Sequence, residues 1–243
     1  MAFGSRRVFD DLSCAFAPGK VSVVLGGSGS GKSTMLRLIA GLVRPTAGEI
    51  WVCGEDVTRL SERALGRVRR KLGMMFQNGA LLDSLTVFDN LAFPLREHRA
   101  LPPQAIADAV HRRLHDVGLE GVDALLPRQL SGGMTKRAAL ARALMMDPVV
   151  LLCDEPFSGL DPISLRRVED LLLRVNREQG ITMIVVSHHI ASTVRMADNV
   201  VLLLPDRAVE GPPAALLDSD DALVRAFMRE EDVAADTPFE GTA

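Results

Sequence analysis

The run Gly26-Gly27-Ser28-Gly29-Ser30-Gly31-Lys32-Ser33-Thr34 stands between the apolar stretch Val21-Ser22-Val23-Val24-Leu25 and a segment with helical spacing. Gly26, Gly31, Lys32 and Ser33 satisfy G-x-x-x-x-G-K-[ST] in the strand–loop–helix setting that gives the motif its meaning. Glycines let successive backbone N–H groups turn into one concavity, and a helix starting near Lys32 adds about half a positive charge there. Such a loop is shaped for a polyphosphate. Lys32 would reach the β- and γ-phosphates as a point charge, and the Ser33 hydroxyl is a hard oxygen ligand suited to Mg²⁺. A flexible Gly/Ser-rich turn is the plainer alternative, and the flanking strand and helix argue against it.

A chain of 243 residues with 47% hydrophobic content can bury a full α/β core. Its net charge of −3 supplies no global basic field for nucleic acid, so no nucleic-acid partner is expected. Cys14, Cys53 and Cys153 are scattered and form no C-x-x-C pair, which predicts reduced core thiols and neither zinc nor a disulfide framework. No apolar run reaches the length of a membrane span, and Met1 to Lys20 lacks the order of a signal peptide. Work at a membrane would then require spans from another chain.

In chain order, Val8-Phe9 and Leu12-Ser13-Cys14-Ala15-Phe16 read as strand, with a turn at Pro18-Gly19. Thr34 to Leu42 reads as helix, Gly48 to Gly54 as a short strand and turn, and Ser61 to Lys71 as a basic helix. That basic run suits a solvated face or an anionic partner. Leu72-Gly73-Met74-Met75-Phe76-Gln77 is an apolar strand that delivers Gln77 at its C-terminal end, where α/β proteins place ligand-contacting groups. From residue 78 to about 145 strand signals vanish, and helices are expected over Leu85–Arg96, Gln104–Val117 and Thr135–Met146. The α/β pattern resumes with the strand Val149–Cys153, a helix from about Ile163 to Glu178 and the strand Ile181–Val186, which predicts a parallel pair covered on both faces. Val200 to Leu204 suggests one more strand. One domain over 1–243 is expected, with an α/β core from 1–77 and 146–228, a helical subdomain over 78–145 and an acidic tail over 229–243 that reads as loosely ordered.

Two further stretches carry chemistry. Val149-Val150-Leu151-Leu152-Cys153 ends in Asp154-Glu155, and alternation points the two carboxylates to different sides. Asp154 can then hold Mg²⁺ and Glu155 can face the γ-phosphate and polarise the attacking water. Acidic residues also close strands for structural reasons, so the pair gains its meaning from the phosphate loop. Leu130-Ser131-Gly132-Gly133-Met134 precedes a helix holding Arg137 and Arg142, and a serine with two exposed N–H groups at a helix start forms a second anion site. An ordinary N-cap has the same local composition. The order phosphate loop, Gln77, Ser131-Gly132-Gly133, Asp154-Glu155 and then Ser187-His188 favours the functional reading.

With that order the chain resembles the ATP-binding-cassette ATPases, from Phe3 to about Met228. The resemblance implies a P-loop NTPase fold with a mainly parallel sheet and an inserted helical subdomain, ATP and Mg²⁺, and ATP hydrolysis coupled to transport. It implies a homodimer in which Ser131, Gly132 and Gly133 reach the nucleotide of the other subunit. Gln77 would sense Mg²⁺ and the attacking water, Ser158-Gly159-Leu160-Asp161 would line the dimer seam, and His188 would contact the γ-phosphate. A histidine there can equally be structural, as the adjacent His189 illustrates. Within the family, Phe76 to Asn90, Leu95-Arg96-Glu97-His98, Met134 and Glu155 to Ile163 are similar to the ATPases of Mla/Mce-type lipid transporters. That narrower likeness implies phospholipid or other hydrophobic cargo, a separate integral membrane permease contacted by about Asn78 to Arg96, a lipid-binding Mce-type accessory protein and a peripheral place on the cytoplasmic face of the inner membrane. Import or export of another small molecule, and a soluble non-transport ATPase, are the rival readings.

Family members place a strand ahead of an aromatic residue that stacks on adenine. Phe3 takes that position here with almost nothing before it, so either the start lies upstream or the adenine platform is frayed.

Overall fold

The computed structural model describes residues 1–4 and 6–229. A short hairpin, β1 (Ala2–Phe3) and β2 (Arg6–Arg7), precedes β3 (Val21–Gly26) and α1 (Lys32–Ile39). A second hairpin, β4 (Trp51–Val52) and β5 (Glu55–Asp56), leads to α2 (Glu62–Arg69) and β6 (Leu72–Met75). Helices then take over as α3 (Val87–His98), α4 (Pro103–Asp116), a 3-10 turn at Pro127–Gln129 and α5 (Gly132–Ala143). β7 (Val150–Asp154), α6 (Pro162–Gln179), β8 (Thr182–Val186), α7 (Ile190–Met196) and β9 (Asn199–Leu203) follow, and β10 (Ala208–Gly211), α8 (Pro213–Leu217) and α9 (Ala222–Arg229) close the described chain.

Six strands form the main sheet in the order β10-β9-β3-β8-β7-β6. Only β10 runs antiparallel, against β9 at the edge. A strand paired on both sides and covered on both faces must be apolar throughout, and β3 is buried at all six positions. Alternate residues of each strand enter different cores. Val21, Val23, Leu25, Leu151, Cys153 and Val185 pack towards Leu91, Leu140 and Leu172, whereas Val24, Leu152, Ile184 and Val186 pack towards Leu36 and Ile39 of α1 and Leu65 of α2.

The expected parallel pair is present, with Asp154 opposite Val186 and Val24 opposite that same Val186 on its other side. Helix expectations hold to within a few residues. At the N-terminus the outcome differs: Val8-Phe9 and Leu12 to Phe16 join no ladder, yet Leu12, Cys14 and Phe16 alternate inward and pack beneath the α1 core. Phe3 lies on β1, in a separate two-stranded sheet with β2, so a strand does form there, outside the main sheet. Cys153 meets the core-thiol expectation, with burial pushing its thiol up to about 12, and Cys14 is raised to about 11 by partial burial. Cys53 departs from it and is exposed at a tight turn. The tail reading falls on residues outside the described range, apart from Arg229, which ends α9.

Two polar devices rigidify the segment after β6. Buried Asn90 accepts from the Leu82 N–H and donates to the carbonyls of Leu82, Leu85 and Thr86, so one amide holds the turn before α3. Arg142 of α5 donates to the carbonyls of Gly79 and Ala80. Close packing of β6 on the end of α5 also requires a residue without a side chain. A Cβ on Gly73 would stand 2.5 Å from the Ala143 carbonyl oxygen and 3.0 Å from Leu151 and Pro148 side-chain atoms. Gly73→Ala is therefore expected to lower stability by about 1–3 kcal/mol, read as a lower urea midpoint at unchanged slope.

Candidate active site

Parallel pairing brings the C-terminal ends of β6, β3, β7 and β8 to one edge of the sheet. Each end delivers a different group: Gln77 after β6, the Gly26–Thr34 loop after β3, Asp154-Glu155 at β7, and Ser187-His188 after β8. This is where open α/β sheets bind ligands.

The loop takes its shape from backbone that only glycine adopts easily. Gly31 has φ +97°, and a Cβ there would lie 2.6 Å from side-chain atoms of Phe9 and Val8. Gly26 has φ +152°, and a Cβ would lie 2.6 Å from the Ser30 hydroxyl and 2.8 Å from the Leu203 carbonyl oxygen. Gly27, Ser28 and Gly29 are exposed, and Ser30 is half-buried. Helix α1 begins at Lys32, so Ser33 and Thr34 fall in its first turn. The Lys32 ammonium turns back onto the loop and donates to the carbonyls of Gly26 (2.8 Å) and Gly27 (2.9 Å). Partial burial draws its pKa down, while Glu155 and Asp154 pull it back up.

Across the strand ends, the Ser33 hydroxyl donates to Asp154 Oδ1 at 3.0 Å. Burial pushes the Asp154 carboxyl up, the Ser33 hydrogen bond lowers it and the neighbouring Glu155 raises it. Hard hydroxyl and carboxylate oxygens, close together on a buried anion, suit Mg²⁺. Among the described residues no three His, Cys, Asp or Glu side chains converge as ligands.

Glu155 stands in left-handed backbone, φ +48°, a conformation that costs a non-glycine residue about 1–3 kcal/mol. Its N–H donates to the Val186 carbonyl at 2.9 Å, anchoring it to β8. His188 Nδ1 lies 2.8 Å from Glu155 Oε2. A carboxylate accepts, so Nδ1 carries the hydrogen in this pair and Nε2 is left to face outward. Ser158, Leu160, Ser187 and His189 complete a cleft of about 220 Å³ around Glu155 and His188.

Ser131 caps α5, its hydroxyl accepting from the Met134 N–H at 3.3 Å. Gly132 is exposed, and added Cβ atoms on Gly132 and Gly133 would meet Gly159, Leu160 and Ser164. The second anion loop thus belongs to the neighbourhood of α6. Asp161 caps α6, accepting from the N–H groups of Ile163 and Ser164 at 3.0 Å. Phe3 is half-exposed on its hairpin, and the aromatic ring against the phosphate loop is Phe9.

One group escaped the reading of the sequence. Lys136 of α5 is buried and donates to the Gln77 carbonyl, the Glu155 carbonyl (3.0 Å) and the Ser158 hydroxyl (3.1 Å). The signal was its setting: Ala138 to Ala141 follow it in a helix covered on most faces, where a lysine must find acceptors.

Residues 9–158 match the family model described as ABC transporter. The chain is 44% identical over 229 residues, 94% of its length and 87% of the relative's, to the intermembrane phospholipid transport system ATP-binding protein MlaF of Haemophilus influenzae. It is 42% identical over 93% of its length to the probable ribonucleotide transport ATP-binding protein mkl of Mycobacterium leprae, covering 66% of that protein. Among solved structures, a dimeric ATP-binding cassette in a post-hydrolysis state bound to ADP and Pi aligns with TM-score 0.78 and 31% identity, over 84% of this chain and 90% of that one. The chain cbiO1 from Clostridium perfringens, part of the transporter complex cbiONQ, aligns with TM-score 0.80 and 28% identity over 92% of this chain and 89% of that one.

To reach a phosphate, Lys32 would have to exchange its two loop carbonyls for phosphate oxygens, and no other side chain of the Gly26–Thr34 loop carries a positive charge. Lys32→Ala is expected to weaken nucleoside triphosphate binding at least tenfold by calorimetry; an unchanged affinity would remove the loop from the site.

Proposed function

The chain belongs to the ABC transporter family of ATP-binding cassettes, and on that premise we propose that this ATPase subunit drives the movement of phospholipid, or a similarly hydrophobic molecule, through a separate membrane permease. Among the described residues no helix is long and apolar enough to cross a membrane. The observation that carries the cargo is the 44% identity, over 94% of the chain, to a protein named for intermembrane phospholipid transport. Ribonucleotide transport is the competing cargo, named for relatives at 42% identity.

The domain reading is an α/β core from 1–77 and 146–228 with a helical subdomain over 78–145; the run of α3, α4 and α5 between β6 and β7 supports it. The working form is a homodimer. Its support is the dimeric cassettes among the similar structures. Gly26–Thr34 of one copy and Ser131, Gly132 and Gly133 of the other would then close on one ATP. The permease would meet the segment from about Asn78 to Arg96, where Leu82 and Phe93 expose apolar surface and Asn90 holds the turn rigid. A lipid-binding Mce-type accessory protein and a place on the cytoplasmic face of the inner membrane complete this reading.

In hydrolysis the loop amides and Lys32 bind the phosphate chain, and Ser33, Asp154 and Gln77 are the groups that would hold Mg²⁺. When bound, that ion neutralises charge developing on the phosphate oxygens. Glu155 polarises the attacking water, and His188, held by its Nδ1 bond to Glu155, would contact the γ-phosphate. Asp161 and Phe3 are assigned to the nucleotide's surroundings, the former at the dimer seam and the latter beside adenine. ATP bridges both copies through its γ-phosphate and ADP lacks that group, so hydrolysis shifts the open–closed equilibrium.

Glu155→Gln is expected to keep ATP binding, lower turnover by about 10²- to 10⁴-fold and trap an ATP-bound dimer visible by size-exclusion chromatography. Turnover near that of the parent would remove Glu155 from the base role. For the cargo, purification from gently solubilised membranes is expected to recover a permease with bound phospholipid, identified by mass spectrometry. Recovery of ribonucleotide-stimulated ATPase activity without phospholipid would favour the competing cargo.

A further inference from the structure

Lys136 has no role in the reading above, yet it touches three parts of the site at one atom. Its ammonium donates to the carbonyl of Gln77 at the end of β6, to the carbonyl of Glu155 and to the Ser158 hydroxyl. The Ser158 hydroxyl in turn donates to the same Glu155 carbonyl at 3.0 Å. On its other side Glu155 is anchored by its N–H to Val186. The strained left-handed backbone that aims its side chain is therefore held at both ends, and the end nearer α6 is held by Lys136.

A buried lysine is a costly choice for this purpose. Burial lowers its pKa, and the nearby carboxylates of Glu155 and Asp154 oppose that effect. A neutral amide has two N–H hydrogens to give; an ammonium has three and can tie three acceptors, at the end of β6 and in the turn between β7 and α6, at a point.

We propose that Lys136 is a positioning residue for hydrolysis, fixing the backbone of Glu155 relative to Gln77 and Ser158 so that the Glu155 carboxylate stands where water is activated. The proposal rests on the reading of Glu155 as the base. It also gives α5 a mechanical role. Arg142, further along the same helix, holds Gly79 and Ala80, so α5 grips the Gln77–Ala80 segment at two places and Glu155 at one. A shift of α5 moves all of them together.

The test is a double-mutant cycle, with single-turnover ATP hydrolysis and ATP affinity measured for Lys136→Met, Glu155→Gln and the double variant. Lys136→Met is expected to slow hydrolysis by about 10- to 100-fold, the cost of a small misplacement, with ATP affinity within about threefold of the parent. In the Glu155→Gln background the same change should cost less than about threefold, because its effect runs through Glu155. An equal loss in both backgrounds, or hydrolysis within twofold of the parent, overturns the proposal. Should Lys136→Met fail to fold, Lys136→Gln retains an amide donor and should show a smaller loss with the same dependence on background; an additive loss there is equally decisive. Parent-like turnover in Glu155→Gln alone identifies failure of the base reading, separately from failure of the Lys136 proposal.

Discussion

β3 pairs in parallel with both β8 and β9, and β8 pairs in parallel with β7. Parallel neighbours cannot be joined by a tight turn, so each must be connected by a long crossover that leaves all of their C-terminal ends on one edge. Phosphate-cradling amides, carboxylates and an imidazole would repel or hydrate one another if gathered by flexible loops. Here each follows a buried apolar strand, and the ladder hydrogen bonds fix the spacing. The Glu155 N–H bond to Val186 and the Ser187 N–H bond to Val24 extend the ladders past the last regular residues, which carries sheet rigidity into the chemistry.

Electrostatics at this edge are balanced locally. Asp154 and Glu155 are adjacent anions with restricted access to water, and each burial penalty needs an answer. Asp154 receives the Ser33 hydroxyl, Glu155 receives His188, and the ammonium groups of Lys32 and Lys136 lie close enough to feel both carboxylates. The two lysines differ in what they can do. Lys32 is bonded to two carbonyls of its own loop, which on the proposed reading it exchanges for phosphate. Lys136 is bonded to three acceptors in two segments, the end of β6 and the turn between β7 and α6, so its displacement would leave several polar groups unpaired at once. In the roles proposed for them, one is a ligand-binding cation and the other is a fastener.

The chemistry-bearing parts were legible in the sequence because each is short and local. A glycine loop after an apolar strand, two carboxylates after another, and a serine that caps a helix are signalled within about ten residues each. What was illegible depends on distance. Leu12, Cys14 and Phe16 alternate inward as a strand's residues would, but no neighbour offers them a ladder, so the expected strand does not form. Helices α7 and α8, of seven and five residues, are too short for periodicity to register. The setting of Lys136 signalled that it needs acceptors, but these lie 59, 19 and 22 residues away and nothing nearby in sequence names them. Phe9 was read as part of a strand, and its contact with Gly31 emerges only when the loop is built.

Helix α5 carries two assignments that bear on one another. Its first residues, Gly132 and Gly133 after the Ser131 cap, present the anion loop proposed to complete the partner's nucleotide site. Four residues from Gly132, about 6 Å along the axis, Lys136 holds the Glu155 of its own site. A helix transmits an axial shift with little loss over one turn. Closure of the cap onto one nucleotide would therefore move Lys136, which bonds the Glu155 carbonyl of the other site. On this view the two hydrolysis sites of the proposed dimer are linked through the length of a single helical turn in each copy, without any need for a longer path through the sheet.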